Sequence, residues 1–511
     1  MHLVADLSYT HPDKASDHDD LAARPSDSRN RRRAVWSFCG KVRELPIPYL
    51  LAEKCFDKID VFEQRGSVGG VWNYTPAALK ASLVTQVPQL NPDGPIEEPI
   101  WYRFGETEET RQLTFTSPIY STLDTNIPKE LMAYSDKPFP ADCQALPRHS
   151  TVKKYLEEYA EDVKDLIQFE TQVLDVRPEG QTNKAWALTT RNLRTGAKET
   201  HIYDAVVVAS GHFDVPYLPD IKGIEPWNKK YPGVISHSKY FDSPEQFRDK
   251  RVIVVGSSAS AIDIGAQIDR VSKGKVLVSQ RTESSLMPSI PSDKSYFPEI
   301  VEFLPSESHR RAVRFADGRV EMDIDAIVFC TGYLYSFPFL SSLDPPVIGD
   351  GRRTLNTYQH LFYIYNPTLV FPVLPQRVIP FPLSENQAAV YARVWSGRLT
   401  LPSIAEMKQW EESTVATKGD STKFHLMHFP LDADYMNFLH DWADMAETRQ
   451  GLANNGYGKQ CNYWGMKQRW MRQKFPEIRR AFVEKGEERY NIKSIAELGF
   501  DFDEDWKQRQ D

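Results

Sequence analysis

The chain has 511 residues, enough for about three domains at roughly 150 residues each, and its 62 basic against 70 acidic side chains leave a net charge of -8. That sign disfavours a nucleic-acid or anionic-membrane surface, which needs a basic stripe, and 41% apolar with 26% charged residues describes a globular chain. Five scattered cysteines, never in a CxxC pair, argue against a disulfide scaffold, a zinc ribbon or a dithiol centre; no apolar run approaches the ~18 residues of a membrane span, and the polar start points to a reducing, cytoplasmic compartment.

Residues 1–33 carry charge, Ser and Pro with little periodicity and end in RNRRR. They are expected to form a disordered arm, with a localisation signal as the alternative reading of the basic cluster. The run KIDVFEQ (58–64) reads as a buried parallel strand opening the stretch VFEQRGSVGGVWNYT. Glu63 at the strand end is placed to offer a carboxylate to ribose hydroxyls, Gly69 and Gly70 let the backbone pass close to a cofactor, and Trp72 supplies a flat apolar wall. Taken alone, Glu63 reads equally well as a solvated charge; the E-x5-GG-x-W combination is the specific signal. Residues 75–118, rich in Pro and polar residues, are expected to be a long surface insertion. A second strand, DAVVVASG (204–211), precedes YPGVISHSKYF, where Tyr231, Gly233, His237 and Phe241 fit [F/Y]-x-G-x3-H-x3-[Y/F]. His237 reads there as a structural histidine rather than an acid or base.

The third strand, RVIVVGSS (251–258), runs into Gly256 and the small residues Ser257, Ser258, Ala259, Ser260 and Ala261 at the head of a helix. Unpaired N–H groups and the positive helix end then stand where a pyrophosphate can sit, although this relaxed fingerprint is weak by itself. Further on, Ser279 and Arg281 in VLVSQRT occupy the place of the acidic ribose residue of an NAD site. An arginine there favours the 2′-phosphate of NADP; an ordinary surface arginine is the alternative. DAIVFCTGY (325–333) closes the series, and such continuous Val/Ile runs imply an α/β, doubly wound architecture. From about residue 402, amphipathic helical patterns such as YMNFLHDWADMAE and YWGMKQRWMRQKFPEIRRAF take over, with Trp and Met stripes expected to pack in a core.

Together with YSTLDTNIPKELM (120–132), CTGY (330–333) and VIPFPLSENQAAVYARVWSGRLTLPS (378–403), these motifs make the chain resemble the flavin-containing monooxygenases, in particular the soluble fungal, dimethylaniline- or thiol-oxidising type, from about residue 50 to 403. Phe241 stands where Baeyer–Villiger monooxygenases usually carry Trp; a Baeyer–Villiger or N-hydroxylating flavoprotein is the alternative among enzymes. The resemblance implies two Rossmann-like dinucleotide-binding domains, an NADPH-binding domain (213–321) inserted into a split FAD-binding domain (34–212 and 322–511), with a helical C-terminal extension. It implies that NADPH reduces FAD, that the flavin captures dioxygen as a C4a-hydroperoxide, and that a small thiol, sulfide or amine takes an oxygen atom from it, so that no triad, paired carboxylate or metal site is required. Asn126 in LDTN would be the catalytic residue, hydrogen-bonding the peroxide and the nicotinamide through an amide that donates and accepts without supplying a proton. It also reads as a turn or helix N-cap ahead of IPKELM. Glu63, Gln64, Gly69, Gly70, Trp72, Val173 and Gln387 would bind FAD. Gly256, Ser257, Ser258, Ala259, Ser260, Ser279 and Arg281 would bind NADP, and Thr331 and Gly332 would lie near the flavin. No nucleic-acid partner, no metal, a cytoplasmic location and a possible homodimer complete the expectation.

One stretch departs from that pattern. A glycine-rich turn is expected roughly 20 residues before Glu63, after a strand such as RRRAV and before a helix holding YLLAEK. The chain reads WSFCGKVRELPIP there, and Gly40 is the only glycine in the first 65 residues. One glycine cannot supply the tight turn, the close pyrophosphate approach and the helix packing for which three are normally used, and Pro46 and Pro48 interrupt the helix. Two readings follow. One is a local frame error in the coding sequence, since a one-base shift at the Trp36 codon reads Gly. The other is a real loss that weakens FAD binding and leaves a flavin-deficient, NADP-binding pseudoenzyme.

Overall fold

The computed structural model of the chain describes residues 32–508 except 38–46, 82, 84, 104–110, 181–183, 282–294 and 306–308, and for 32–37 it describes the backbone. The expected arm therefore lies outside the described residues up to residue 31, whereas Arg32 and Arg33 already belong to a strand.

That strand, Arg32–Ser37, pairs in parallel with Phe56–Phe62 on one side and Ala205–Val208 on the other. Leu369–Val370 and Ile167–Gln168 extend the parallel part outward. Thr357–Tyr358 and Phe362–Tyr363 add an antiparallel edge, giving a seven-stranded sheet. Side chains alternate between its faces as the two-residue period of a strand requires. Val61 and Val207 join the core with Ile47, Leu50 and the C-terminal helices, while Phe62, Val206 and Val208 join a second core with Tyr335, Phe337 and Phe371. Both faces are covered, which is why these runs are continuously apolar.

The second sheet is ordered Ile235–His237, Ala326–Phe329, Val252–Val255, Leu277–Ser279, Ser295–Phe297, all parallel. It alternates in the same way: Ile253, Leu277 and Ile327 face one core, and Val252, Val254, Val278 and Val328 the other. The expected return to the first domain at residue 322 is corrected by this pairing. Ala326–Phe329 is an inner strand of the second sheet, buried on both faces, and the chain crosses back only at Tyr333–Leu334. There it pairs antiparallel with the outgoing Val215–Pro216, so exit and return form one two-stranded connection.

The 75–118 stretch is mostly exposed or half-buried between residues 76 and 112, as expected of a surface insertion, but it is anchored at both ends. Ile100–Arg103 and Arg111–Thr114 pair antiparallel, and the ends of the stretch are buried and joined, with Thr75 Oγ1 donating to Phe115 O (2.9 Å) and accepting from Ser117 N (3.0 Å). The C-terminal helices Ile404–Lys418, Leu431–Asp444 and Met466–Glu484 pack on the first sheet, with Met436, Trp442, Trp470 and Met471 in the same core as Val61. A further helix, Pro380–Trp395, is buried along almost its whole length.

Candidate functional site

Two clusters of polar groups form at the C-terminal edges of the two parallel sheets, the place where α/β sheets bind ligands. At the first sheet Glu63 follows the strand Phe56–Phe62 and is fully buried, its Oε1 accepting from Arg65 N (2.8 Å). The chain then turns through Gly69 (φ 100°) and Gly70 (φ 47°) into a single 3-10 turn, Gly70–Trp72. Asn73 locks this turn by donating to Val68 O and Gly70 O (3.0 Å each) while accepting from Ser67 Oγ (2.7 Å). At Gly69 it is the positive φ that calls for glycine, since the nearest obstacle to an added Cβ, Lys153 Cδ at 2.8 Å, belongs to a flexible side chain. Beside the turn lies an open cleft of about 500 Å³, lined by Trp72, Tyr74, Tyr102, His149 and Lys153 among others.

Among the described residues, the buried indole Nε1 of Trp72 and the buried hydroxyl of Ser210, just beyond the Ala205–Val208 strand, have no hydrogen-bond partner. Buried polar atoms are nearly always paired, so these two fit a bound molecule rich in acceptors, such as a flavin dinucleotide. Ser210 was not singled out from sequence; the only signal was its place after a Val run in DAVVVASG. Gln64 accepts from Gln172 (3.1 Å), and Val173 is wholly buried in the adjoining strand Thr171–Glu179. Gln387 is engaged elsewhere. Its Oε1 accepts from Val373 N (2.7 Å) and its Nε2 donates to Tyr435 OH (3.2 Å), so its amide braces the core from the buried helix.

At the second sheet Gly256 (φ 132°) ends the strand Val252–Val255, and Ser258 caps the helix Ala259–Asp269 without a side-chain bond of its own. Ser258 and Ser260 are exposed, while Ser257 and Ala259 are half-buried, so the helix head presents hydroxyls and N–H groups to solvent. Arg281 is exposed two residues past the strand. Ser279 is buried, and its hydroxyl donates to Pro298 O (3.0 Å).

Thr331 and Gly332 lie in the returning connection. Thr331 donates to Tyr217 O, and Gly332 O accepts from Tyr217 N (2.9 Å) and His237 Nε2 (3.0 Å). His237 Nδ1 accepts from Lys239 N (3.1 Å), and burial pushes the ring down to about 3, so the histidine is a neutral brace. Asn126 is half-buried on the segment between the two clusters. It does not cap the next helix: Lys129–Met132 starts from Pro128, with no side-chain cap. Tyr74 OH, two residues past Trp72, donates to Asp242 Oδ1 (2.7 Å), which ties the first cluster to the second unit. Among the described residues no group of His, Cys, Asp and Glu is arranged to hold a metal, and no helix is long and apolar enough to cross a membrane.

Comparison with known proteins agrees with this geometry. The family model described as flavin-binding monooxygenase-like matches residues 100–304 and 304–454. The chain is 32% identical over 429 residues to flavin-containing monooxygenase FMO GS-OX-like 7 of Arabidopsis thaliana, covering 82% of each. It is 28% identical over 452 residues to the flavin-containing monooxygenase iboF of Amanita muscaria, covering 76% of this chain and 84% of that one. Among solved structures it is similar to S-allyl-L-cysteine S-oxygenase from Allium sativum, at a TM-score of 0.69 and 26% identity over 90% of this chain and 94% of that one. Tmm from a Pelagibacter strain shares the fold at a TM-score of 0.63 and 21% identity, over 88% and 91% of the two chains. The chain belongs to the flavin-binding monooxygenase-like family.

Proposed function

We propose that this flavin monooxygenase uses NADPH and dioxygen to oxygenate the soft sulfur or nitrogen of a small molecule. The observation that carries the reading is the pairing of two parallel-sheet edges, one with the unpartnered Trp72 Nε1 and Ser210 Oγ, the other with the open helix head at Ser258 and Ser260. The S-oxygenase among the similar structures supports sulfur as the acceptor. Bound FAD would supply the redox chemistry and the activation of dioxygen. This chain's residues bind, orient and shield. Glu63 holds a ribose, the glycine turn at Gly69–Gly70 lets the cofactor approach, and Trp72 closes one side. Ser258, Ser260 and the helix N-terminus take the NADP pyrophosphate, and Arg281 takes the 2′-phosphate. Asn126 donates and accepts at the reacting face without giving up a proton. The location that goes with this reading is the cytoplasm, and a homodimer is the assembly it allows.

The test is to purify the protein, look for yellow flavin absorbance, and offer a thiol, a sulfide, an amine and a ketone with NADPH. An S- or N-oxide with matching NADPH loss supports the reading; oxidation of the ketone alone sinks it in favour of Baeyer–Villiger chemistry.

The segment between Arg32–Ser37 and the helix Ile47–Ala52 favours a second reading. The strand is central in its sheet and the helix follows it, so the topology puts the expected glycine turn at 38–46, outside the described residues, where the sequence holds only Gly40. A colourless protein that still binds NADP⁺ would identify a flavin-deficient relative. Sequencing the transcript across codons 30–50 tests the frame-error reading separately.

A further inference from the structure

We propose that Asp263, held by Arg479 of the C-terminal helices, is a positioning residue that fixes the Asn126 segment against the nucleotide helix and thereby sets how much NADPH oxidation ends in product rather than peroxide. The inference rests on the role proposed above for Asn126. Asp263 and Gln267 sit four residues apart on one face of Ala259–Asp269, the helix whose head carries Ser258 and Ser260. Tyr120 OH donates to Asp263 Oδ2, Thr122 Oγ1 to Gln267 Oε1 (2.7 Å), and Gln267 Nε2 to Asp263 Oδ2 (3.2 Å). Ser121, between them, binds the carbonyl of Asp242 through both its N (3.3 Å) and its Oγ (3.0 Å). Three successive residues, 120–122, are thus bound to the second unit only four positions before Asn126. On the near side of Asn126, Asp124 accepts from Arg489 Nε (3.0 Å) and Thr125 N donates to Pro147 O (2.8 Å).

The cation that completes the arrangement comes from far along the chain. Arg479 Nη2 lies 3.4 Å from Asp263 Oδ1, with 15% of its side chain exposed. Its helix, Met466–Glu484, is anchored in the first sheet's core by Trp470, Met471, Ile478 and Phe482. The carboxylate of Asp263 is therefore divided, one oxygen toward the tyrosine of the Asn126 segment and the other toward a cation fixed to the first unit. Burial and the neighbouring Asp263 hold the Tyr120 phenol well above its ordinary range, so it stays a donor throughout the working pH. An amide that must meet a reacting group loses rate steeply when displaced, about a hundredfold for a shift near 1 Å. A loosened segment then lets the oxidant decay to peroxide while NADPH is still consumed.

The test compares Tyr120→Phe, Asp263→Asn, Arg479→Gln and Arg479→Lys with the parent. Hydrogen exchange of backbone amides 120–126 should quicken about threefold or more in the first three variants, with the rest of the second sheet unchanged. The fraction of NADPH electrons released as peroxide should rise by a similar factor while the KM for NADPH stays within about twofold, and Arg479→Lys should restore both. The exchange arm reads the protein with or without flavin. Unchanged exchange at 120–126, acceleration spread over the whole second unit, or unchanged peroxide release each overturns the inference. Asn126→Ser run in parallel separates the layers. If it uncouples the enzyme and the other variants do not, only the positioning role fails; if it leaves coupling unchanged, the role of Asn126 fails and the positioning role with it.

Discussion

Replacing Gly256 by alanine is expected to damage the nucleotide unit through two separable effects. The residue has φ 132°, a region that L side chains rarely adopt, and an added Cβ would stand 2.6 Å from the carbonyl oxygen of Cys330. That oxygen belongs to the backbone continuing Ala326–Phe329, and Cys330 N is itself bonded to Val255 O at 2.7 Å. Relief therefore requires two paired inner strands to part. Holding a non-glycine residue in such a conformation costs about 1–3 kcal/mol, and forcing extra volume into packed structure costs about 1–3 kcal/mol more. Together these are about 2–6 kcal/mol, against a typical domain stability of about 5–15 kcal/mol. At about 4 °C per kcal/mol for a unit of about 110 residues, calorimetry should show its transition falling by roughly 8–24 °C. Gly196→Ala is the control, because Gly196 also has positive φ (74°) but nothing within 4 Å of the added atom. It should lose only the conformational part, and it should bind NADP⁺ as the parent does. Equal losses at the two positions would refute the contact argument.

Asn126→Ser should leave any bound flavin in place but raise peroxide release per NADPH oxidised; coupling identical to the parent would remove Asn126 from the reaction. Arg281→Ala should raise the KM for NADPH at least about tenfold, equivalent to about 1.4 kcal/mol, and leave NADH use unaffected; an equal shift for both cofactors would argue against a 2′-phosphate contact. Acid should destabilise the fold through its buried histidines. Burial lowers His237 from the ordinary 6.5 to about 3, and drives His360 and His425, joined by a 3.0 Å Nδ1 contact, the same way. The unfolded chain then binds protons that the folded one refuses, so the stability is present above pH 6.5 and is lost as pH falls toward 3. His237 contributes a slope of about 1.4 kcal/mol per pH unit within that window. Urea titrations of His237→Gln should show a shallower dependence there, and an unchanged slope would contradict the assignment.

The two strand series and the helix head at 256–260 were legible because a parallel strand buried on both faces must be apolar throughout, and because few residues fit a turn with positive φ. The sequence by itself therefore determined that this is a doubly wound α/β protein with the motifs of a flavin monooxygenase, and it located the missing glycine turn near residues 36–47. Hydrogen-bond partners could not be read that way, since they depend on where the fold brings other segments of the chain and on which way each side chain turns. Only the tertiary structure showed that the Ser279 and Gln387 side chains are turned to Pro298, Val373 and Tyr435. It also showed that Ala326–Phe329 belongs to the second sheet, because pairing with Val252–Val255 buries a strand whose apolar run suits either sheet equally well. The same holds for Asp263, which in sequence is one acidic residue on a helix. It gains a role when the fold brings Tyr120 from one direction and Arg479 from another.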